Sequence, residues 1–196
     1  FNGLGSNGRG NKDIDIMPDF SPTEYAVPGF VALVLIEMIW AWRKRPEAYE
    51  PRDTFTSLAF GLGSTVSGLL FGGAFFALFL WVWEFRLFDI PWTWWAFALC
   101  FVLDDLKYYW VHRFGHRVRW FWASHVNHHS SQHYNLSTAL RQTWTGYLTL
   151  GFAFALPLVL LGFHPAMIAI CAGFNLIYQF WIHTEAINKM PRWFEA

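Results

Sequence analysis

A chain of 196 residues with 55% hydrophobic, 21% aromatic and only 14% charged residues is far poorer in charge than soluble domains, which carry about 25%. This composition indicates a membrane protein. The 14 basic and 14 acidic residues cancel, which argues against a nucleic-acid partner or an acidic substrate. Cys100 and Cys171 both lie in apolar runs, where a free cysteine behaves as a small hydrophobic residue, so we expect no disulfide framework.

The polar N-terminal segment, residues 1–25, starts at Phe1 and is rich in glycine and asparagine. It lacks the charged and then apolar layout of a signal peptide, and a first residue other than methionine predicts processing or a missing segment. We expect residues 26–196 to form a single membrane domain.

Four or five apolar stretches approach the roughly 20 residues that cross a membrane core of about 30 Å. The second is long enough to tilt or to form a bent hairpin. We therefore predict an all-α, polytopic membrane protein with four to five hydrophobic spans. The stretches are about Val27 to Trp42, Ser57 to Trp83, Pro91 to Val111, Thr145 to Phe163 and Ala166 to Ile182.

Counting five crossings places seven of the eight histidines and eleven of the fourteen basic residues on one side of the membrane. The positive-inside rule makes that side cytoplasmic. Only His164, Arg9, Lys12 and Arg86 fall on the other side. We predict a histidine-rich helical cap on the cytoplasmic face, and a hairpin in the second stretch would break this agreement.

Two groups of histidines have the spacing of metal ligands on a helix. His112 and His116 are four residues apart, which makes them neighbours on one helical face. Asp105 lies seven residues before His112, close to two turns. It can either orient a histidine through a hydrogen bond or pair with a nearby arginine.

The second group, His125, His128 and His129, has i, i+3, i+4 spacing, which would gather three rings on one helical face. Solvated polar residues are the alternative, but two compact clusters beside hydrophobic spans favour a metal site. His133 follows four residues after His129 and either joins the site or begins a loop. His183 ends the last span, as a ligand or as an interfacial anchor.

Imidazole ligands suit iron, zinc and copper, and the lack of clustered cysteines argues against iron–sulfur and cysteine-type zinc sites. The zinc-protease motif His-Glu-x-x-His and the Glu-x-x-His pairs of carboxylate-bridged di-iron bundles are both missing. Many histidines beside apolar spans favour oxygen activation near a lipid chain, because cleaving an unactivated C–H bond needs a strong metal oxidant.

These residues resemble the fatty acid hydroxylase superfamily, also called the sterol desaturase family, and most closely its ether-lipid-cleaving branch. Asp105 to His116 is similar to the first histidine box of that family, and His125 to Ser131 to the second. Tyr134 to Gln142 and Tyr178 to Glu185 are similar to later stretches. The likeness covers about Asp105 to Pro191.

The resemblance implies an enzyme, an O2-dependent lipid monooxygenase with two iron ions and a membrane lipid as substrate. It implies the metal ligands His112, His116, His125, His128, His129 and His183, with His133 as a further candidate. For an ether lipid it implies hydroxylation of the alkyl carbon beside the ether oxygen. The electron donor stays open; tetrahydrobiopterin is a candidate, although no residue identifies a pterin site.

The family's third box, His-x-x-His-His, is expected somewhat beyond Pro191, and the sequence stops at Ala196 without it. We therefore expect a C-terminal segment or a second polypeptide to complete the site, or else a loss of catalysis. The alternatives are a fatty acid or sterol hydroxylase or desaturase, a non-catalytic metal-binding or structural membrane subunit, and a metal transporter.

Overall fold

Every regular element in residues 22–187, 189–191 and 193, which the computed structural model describes, is helical. The all-α prediction is thereby confirmed for this part of the chain. Residues 1–21 of the predicted N-terminal segment, including Arg9 and Lys12, lie outside the described residues. The helices are α1 (Pro22–Lys44), α2 (Pro51–Trp83), α3 (Trp94–Arg117), α4 (Arg119–His125), α5 (Leu136–Ala139), α6 (Leu156–Leu161) and α7 (Pro165–Trp181).

Among the described residues, the helices long and apolar enough to cross a membrane are α1 and α2, and few of their side chains are buried along the apolar stretch. At 1.5 Å per residue, the 33-residue α2 is about 50 Å long. It begins where Pro51 follows Glu50, whose carboxylate accepts the Asp53 backbone N–H at 2.6 Å. Because α2 is unbroken, the hairpin alternative for the second stretch is wrong.

The remaining apolar stretches are less regular than predicted. The helix α3 runs beyond Val111 to Arg117 and carries too many charges to count as an apolar span. The stretch from Thr145 to Phe163 is not one helix but two 3₁₀ turns followed by the six-residue α6. The turns are separated by Leu150, whose φ of 61° is left-handed and interrupts a helix. Within the described part of the chain, apolar length and composition thus identify two candidate spans, over the first and second of the predicted stretches.

Three helices run in the same direction. Along α3 and α7, Phe97 meets Cys171 and Asp105 meets Asn175, both pairs through hydrogen bonds. The rings of Phe30 in α1 and Phe180 in α7 stack at 4.2 Å. Since Gly173 lies beside Pro22 at the start of α1, α1 and α7 are also parallel. The ends of α1, α3 and α7 therefore meet at one end of the molecule.

The helix α2 runs the opposite way. Its first turns contact Arg141, which lies near the ends of the other three helices. Its last residue, Trp83, donates from Nε1 to the Gly162 carbonyl and packs against His164 at the start of α7. We call the end with the histidine boxes the histidine end, and the end with His164 the opposite end.

The larger hydrophobic core lies toward the opposite end, between α3 and α7. Its fully buried members include Ala96, Cys100, Phe163 and Met167. Small residues let two helices approach closely, and Phe163 and Met167 fill the remaining space. Cys100 and Cys171 are free, buried thiols within this core, and form no disulfide. This core holds α3 and α7 together and thus fixes where His112 and His183 emerge.

Candidate metal centre

The last turns of α3 place His112 and His116 on one face, as their spacing predicts. Their Nε2 atoms are 3.0 Å apart. The chain then turns at Val118 and returns as α4, which ends at His125. This return needs Gly115: a Cβ there would lie 3.0 Å from the His125 ring, tighter than most real contacts. A close backbone approach thus brings the second box over the first.

The second box does not form a single helical face, and that part of the prediction is wrong. His125 ends α4, whereas His128 and His129 lie in a separate 3₁₀ turn, His128–Ser130. The tighter turn has three residues per turn, so the rings point in different directions. His129 returns toward the first box, with its Nε2 atom 3.1 Å from that of His125.

Four histidines thereby converge, and we call them the four-histidine group: His112, His116, His125 and His129. Each offers one ring nitrogen, and these nitrogens all lie within 4.8 Å of one another. The Nε2 atoms of His116 and His125 are 3.3 Å apart. His112 Nδ1 lies 3.3 Å from the Tyr108 hydroxyl, which can hold the ring with Nε2 facing the group. The group fits a metal ion.

A second arrangement, the histidine pair, joins His128 and His183, whose Nε2 atoms are 3.3 Å apart. The Nδ1 atoms face backbone carbonyls, that of His128 at 3.2 Å from Arg141 O and that of His183 at 2.7 Å from Gln179 O. A carbonyl only accepts, so in the neutral form of each ring Nδ1 carries the proton and Nε2 presents a lone pair. Two facing lone pairs at this distance fit a cation between them.

The protonation of these rings also suits metal binding. Burial lowers the pKa of His125 to about 3, and the charges of neighbouring imidazoles act in the same direction. Burial likewise lowers the pKa of His128 to about 4; His183 adds to this effect, while the Arg141 carbonyl opposes it. Both rings are therefore neutral at pH 7, the form that binds a metal.

Asp105 and His133 lie near the histidines but outside both groups. Asp105 Oδ1 accepts a hydrogen bond from Asn175 Nδ2 at 3.3 Å. His133 Nδ1 lies 3.1 Å from the carbonyl oxygen of Glu47. Both side chains line a cavity that also reaches His112 and His128. Their placement beside the site agrees with the sequence, and their roles stay predictions.

A buried ion pair supports the histidine pair, and sequence reasoning did not identify it. Arg141, only 3% exposed, donates from Nη2 to Asp53 Oδ1 at 2.7 Å and from Nη1 to Ser130 Oγ at 2.8 Å. Asp53 also accepts from Ser131 at 2.7 Å. Because the Arg141 carbonyl faces His128, the ion pair fixes both the second box and its hydrogen-bond partner. The spacing of Arg141 and Asp53 in the sequence does not predict that they form an ion pair.

Glu37 is a second supporting residue that the sequence analysis passed over. It is 6% exposed and accepts from Tyr49 at 2.5 Å, from the Leu136 backbone N–H at 2.7 Å and from the Thr184 hydroxyl. A buried carboxylate is tolerated when hydrogen bonds replace its water. Thr184 follows His183 directly, so Glu37 anchors that histidine to α1. The available signal was a lone charge inside an apolar span.

His164 lies at the opposite end, as the sequence predicts. Its Nδ1 accepts the Ala166 backbone N–H at 3.2 Å and so caps the start of α7. Its ring packs edge-on against Trp83 at 4.8 Å. The length of α7, about 25 Å, separates His164 from His183. The geometry makes His164 a helix cap.

Two cavities meet at the histidine pair. The polar cavity, about 460 Å³, is lined largely by hydrogen-bonding side chains, including Asp105, Ser131, Gln132, His133 and Asn175. The apolar cavity, about 340 Å³, is lined largely by hydrocarbon. It lies between α1, α2 and α7, and its walls include Phe30, Leu58, Leu62, Leu140, Leu176 and Phe180. Tyr108, His128, Gln179 and His183 belong to both.

Comparison with known proteins identifies the family. Alkylglycerol monooxygenases of Xenopus tropicalis and Homo sapiens are each 39% identical to this chain, over 91% and 90% of it. That of Danio rerio is 39% identical over 84%. The chain spans about 40% of the length of these relatives. The predicted resemblance to this branch of the family, the alkylglycerol monooxygenases, is thereby confirmed.

No solved structure matches the chain. A family model described as fatty acid hydroxylase matches residues 97–196, the part that carries both histidine boxes, α7 and His183. The chain belongs to the fatty acid hydroxylase family.

Proposed function

We propose that this chain is the core of a membrane-bound, non-haem di-iron oxygenase that hydroxylates a lipid carbon, with an ether lipid of the alkylglycerol type as substrate. One observation carries the proposal: six imidazole Nε2 atoms face one another in two groups beside an apolar cavity. The names of the relatives supply the substrate class.

The four-histidine group holds one ion and the histidine pair contributes to a second, so His112, His116, His125, His128, His129 and His183 are the ligands. Iron bound there would supply the oxidising power that an unactivated C–H bond requires. The protein's own residues orient three of these rings. Tyr108 orients His112, and the carbonyls of Arg141 and Gln179 orient His128 and His183.

Six imidazoles are fewer than the roughly eight that two metal ions with imidazole ligation are expected to need. His133 and Asp105 are additional donors in the cavity wall. We propose that a segment following this chain, or a second polypeptide, adds the remaining ligands at the open side of the histidine pair. The family's third histidine box is the candidate segment.

For an alkylglycerol, the reaction would insert one oxygen atom of O2 into the C–H bond beside the ether oxygen. The other oxygen atom would leave as water, with two electrons and two protons from a donor such as tetrahydrobiopterin. The hemiacetal formed would break into a fatty aldehyde and glycerol. The protein must therefore hold that carbon near the histidines and keep bulk water from the chain.

The test uses the full-length protein, purified from its membrane, with iron counted by elemental mass spectrometry. It is then given a 1-O-alkylglycerol, O2 and a reduced pterin. Two irons per chain and O2-dependent release of fatty aldehyde are the expected results. Hydroxylated fatty acid or sterol in place of aldehyde would favour the rival within the family. Absence of both iron and turnover would overturn the proposal and leave a non-catalytic membrane subunit.

We also propose that residues 26–196 form one membrane domain of four to five crossings, with the histidine end in the cytoplasm. The directions of α1, α2, α3 and α7 support alternate crossings, and the basic residues gather at the histidine end. Cysteines introduced at Gln132 and Asp89, both exposed, test this with a membrane-impermeant thiol reagent. Cys100 and Cys171 are buried and give little background. Labelling of Asp89→Cys from the cytoplasm would reverse the orientation.

A further inference from the structure

The polar cavity and the apolar cavity meet at the histidine pair, so polar and apolar surroundings adjoin at this position. On one side of the histidine pair the wall carries Asp105, His133 and Asn175; on the other it carries Leu62, Leu176 and Phe180. An amphipathic molecule is matched to such a division, because each of its parts keeps its preferred surroundings. Its head and its chain then meet beside His128 and His183.

The apolar cavity is more apolar than its residue types indicate. The hydroxyls of Ser64 and Thr65 both donate to the Gly61 carbonyl of their own helix. The side-chain amides of Gln142 and Gln179 donate to Ala139 O and Asn175 Oδ1. Both hydroxyl protons and one amide proton of each glutamine are therefore already used within the protein, and the leucine and phenylalanine side chains supply most of the hydrocarbon wall.

The cavity also reaches the lipid-facing surface. Leu62 is 69% exposed on α2, which is long and apolar enough to span a membrane, and Leu58 and Leu176 are exposed beside it. Along α2, the wall extends from Leu58 to Thr65, a rise of about 10 Å. A hydrocarbon chain can thus pass from the bilayer to the histidine pair without crossing water.

From this arrangement, we propose that the substrate is bound across both cavities, with its alkyl chain in the apolar cavity and its glycerol head in the polar cavity. This inference rests on the proposed function and adds the binding mode. It explains the position of attack, because the carbon that joins head to chain lies at the junction, beside His128 and His183. The entry route is lateral, between α2 and α7, and Leu62 lies at its mouth.

The experiment is photolabelling of the full-length protein in its membrane by a 1-O-alkylglycerol with a diazirine at the far end of its chain. We expect labelled peptides from Leu58 to Thr65 of α2 and around Leu176 of α7. Leu62→Trp should reduce this labelling at least fivefold by filling the mouth. It should also raise KM for long-chain substrates more than for short ones.

Leu69→Trp is the matched control, since Leu69 lies two turns further along the same face of α2, is 79% exposed and does not line the cavity. Its labelling should stay within about twofold of the parent protein. Labels on Ser131 to Tyr134, or labelling that Leu62→Trp leaves unchanged, would overturn the binding mode.

Iron content and aldehyde release are measured in the same samples, which separates the two proposals. If the protein turns over its substrate but the labels lie outside the apolar cavity, the proposed binding mode is wrong and the proposed oxygenase function stands. Labelling does not need turnover, so a protein that lacks iron but labels as expected would keep the binding mode and lose the oxygenase.

Discussion

The four-histidine group and the histidine pair differ in how the chain assembles them. The four-histidine group comes from two stretches close in sequence, and three of its members follow helical spacing or directly end a helix. The histidine pair joins residues 55 positions apart, and each ring is held by a backbone carbonyl. Local spacing builds the first group, whereas packing of α7 against the bundle builds the second.

This difference has an energetic consequence. The four-histidine group depends on α3 and α4, which follow one another in the chain and pack closely at Gly115 and His125. The histidine pair depends on Asp53, Arg141 and Glu37, which tie α1, α2 and the segment after the second box together. Substitutions that weaken tertiary contacts should therefore disturb the geometry of the histidine pair more than that of the four-histidine group.

The largest effect should come from removing one member of the histidine pair. We expect His128→Ala to lower iron from two ions per chain to one and to abolish turnover, since the four-histidine group stays intact. Elemental mass spectrometry on the purified protein measures this. Loss of both ions in His128→Ala would mean that the two groups form one site, and the distinction between them would fail.

Breaking the buried ion pair should come next. Asp53→Asn leaves the Arg141 guanidinium buried without its carboxylate, which costs about 3–5 kcal/mol of unfolding free energy. Denaturant titration in detergent measures the loss. The control is Asp89→Asn at the exposed pair with Arg86, where Asp89 is 87% exposed and the loss should stay below about 1 kcal/mol. Equal losses of unfolding free energy in the two variants would show that the buried Arg141–Asp53 pair stabilises the protein no more than an exposed ion pair does.

A smaller effect should follow from Tyr108→Phe, which removes the hydroxyl 3.3 Å from His112 Nδ1. Loss of such a supporting hydrogen bond weakens metal binding by about 10–100-fold, and the weak geometry here places the expected change near tenfold. Competition with a chelator measures it. In Tyr108→Phe, the chelator should remove only one of the two ions more easily. The control is Tyr109→Phe, which removes a hydroxyl that accepts from Arg113, and the affinity for both ions should stay unchanged there.

The smallest effect should be at the opposite end. His164→Ala removes the cap of α7 and should cost about 1 kcal/mol of stability, with iron content unchanged. His164→Asn keeps a capping acceptor and should recover part of that loss, as a thermal melt would show. Loss of iron in His164→Ala would contradict the separation of the two ends.

Much of the site was predictable from the sequence, because helical spacing reports local neighbours directly. His112 and His116 meet as their spacing requires, and crossing counts correctly placed His183 with the boxes and His164 away from them. The prediction that the second box forms a single helical face was wrong, since α4 ends at His125 and His128 lies in a separate 3₁₀ turn. No local pattern indicates that turn.

The supporting residues were harder to predict for the same reason. Arg141 contacts Asp53 across 88 positions, and Glu37 contacts Thr184 across 147. Such pairs arise only after the helices pack. The fourth apolar stretch, Thr145 to Phe163, was also hard to predict. Its composition suits a span, but Leu150 interrupts its helix. An apolar composition indicates that a segment prefers lipid, but it does not indicate whether the segment forms one continuous helix.

The length of α2 links the metal centre to the bilayer itself. A helix of about 50 Å exceeds a hydrocarbon core of about 30 Å, so it must either tilt or extend beyond the core. Asp53 lies in its first turn and holds Arg141, whose carbonyl faces His128. A change in membrane thickness alters the tilt of such a helix. We therefore expect lipid composition to affect the orientation of the His128 ring through α2, Asp53 and Arg141.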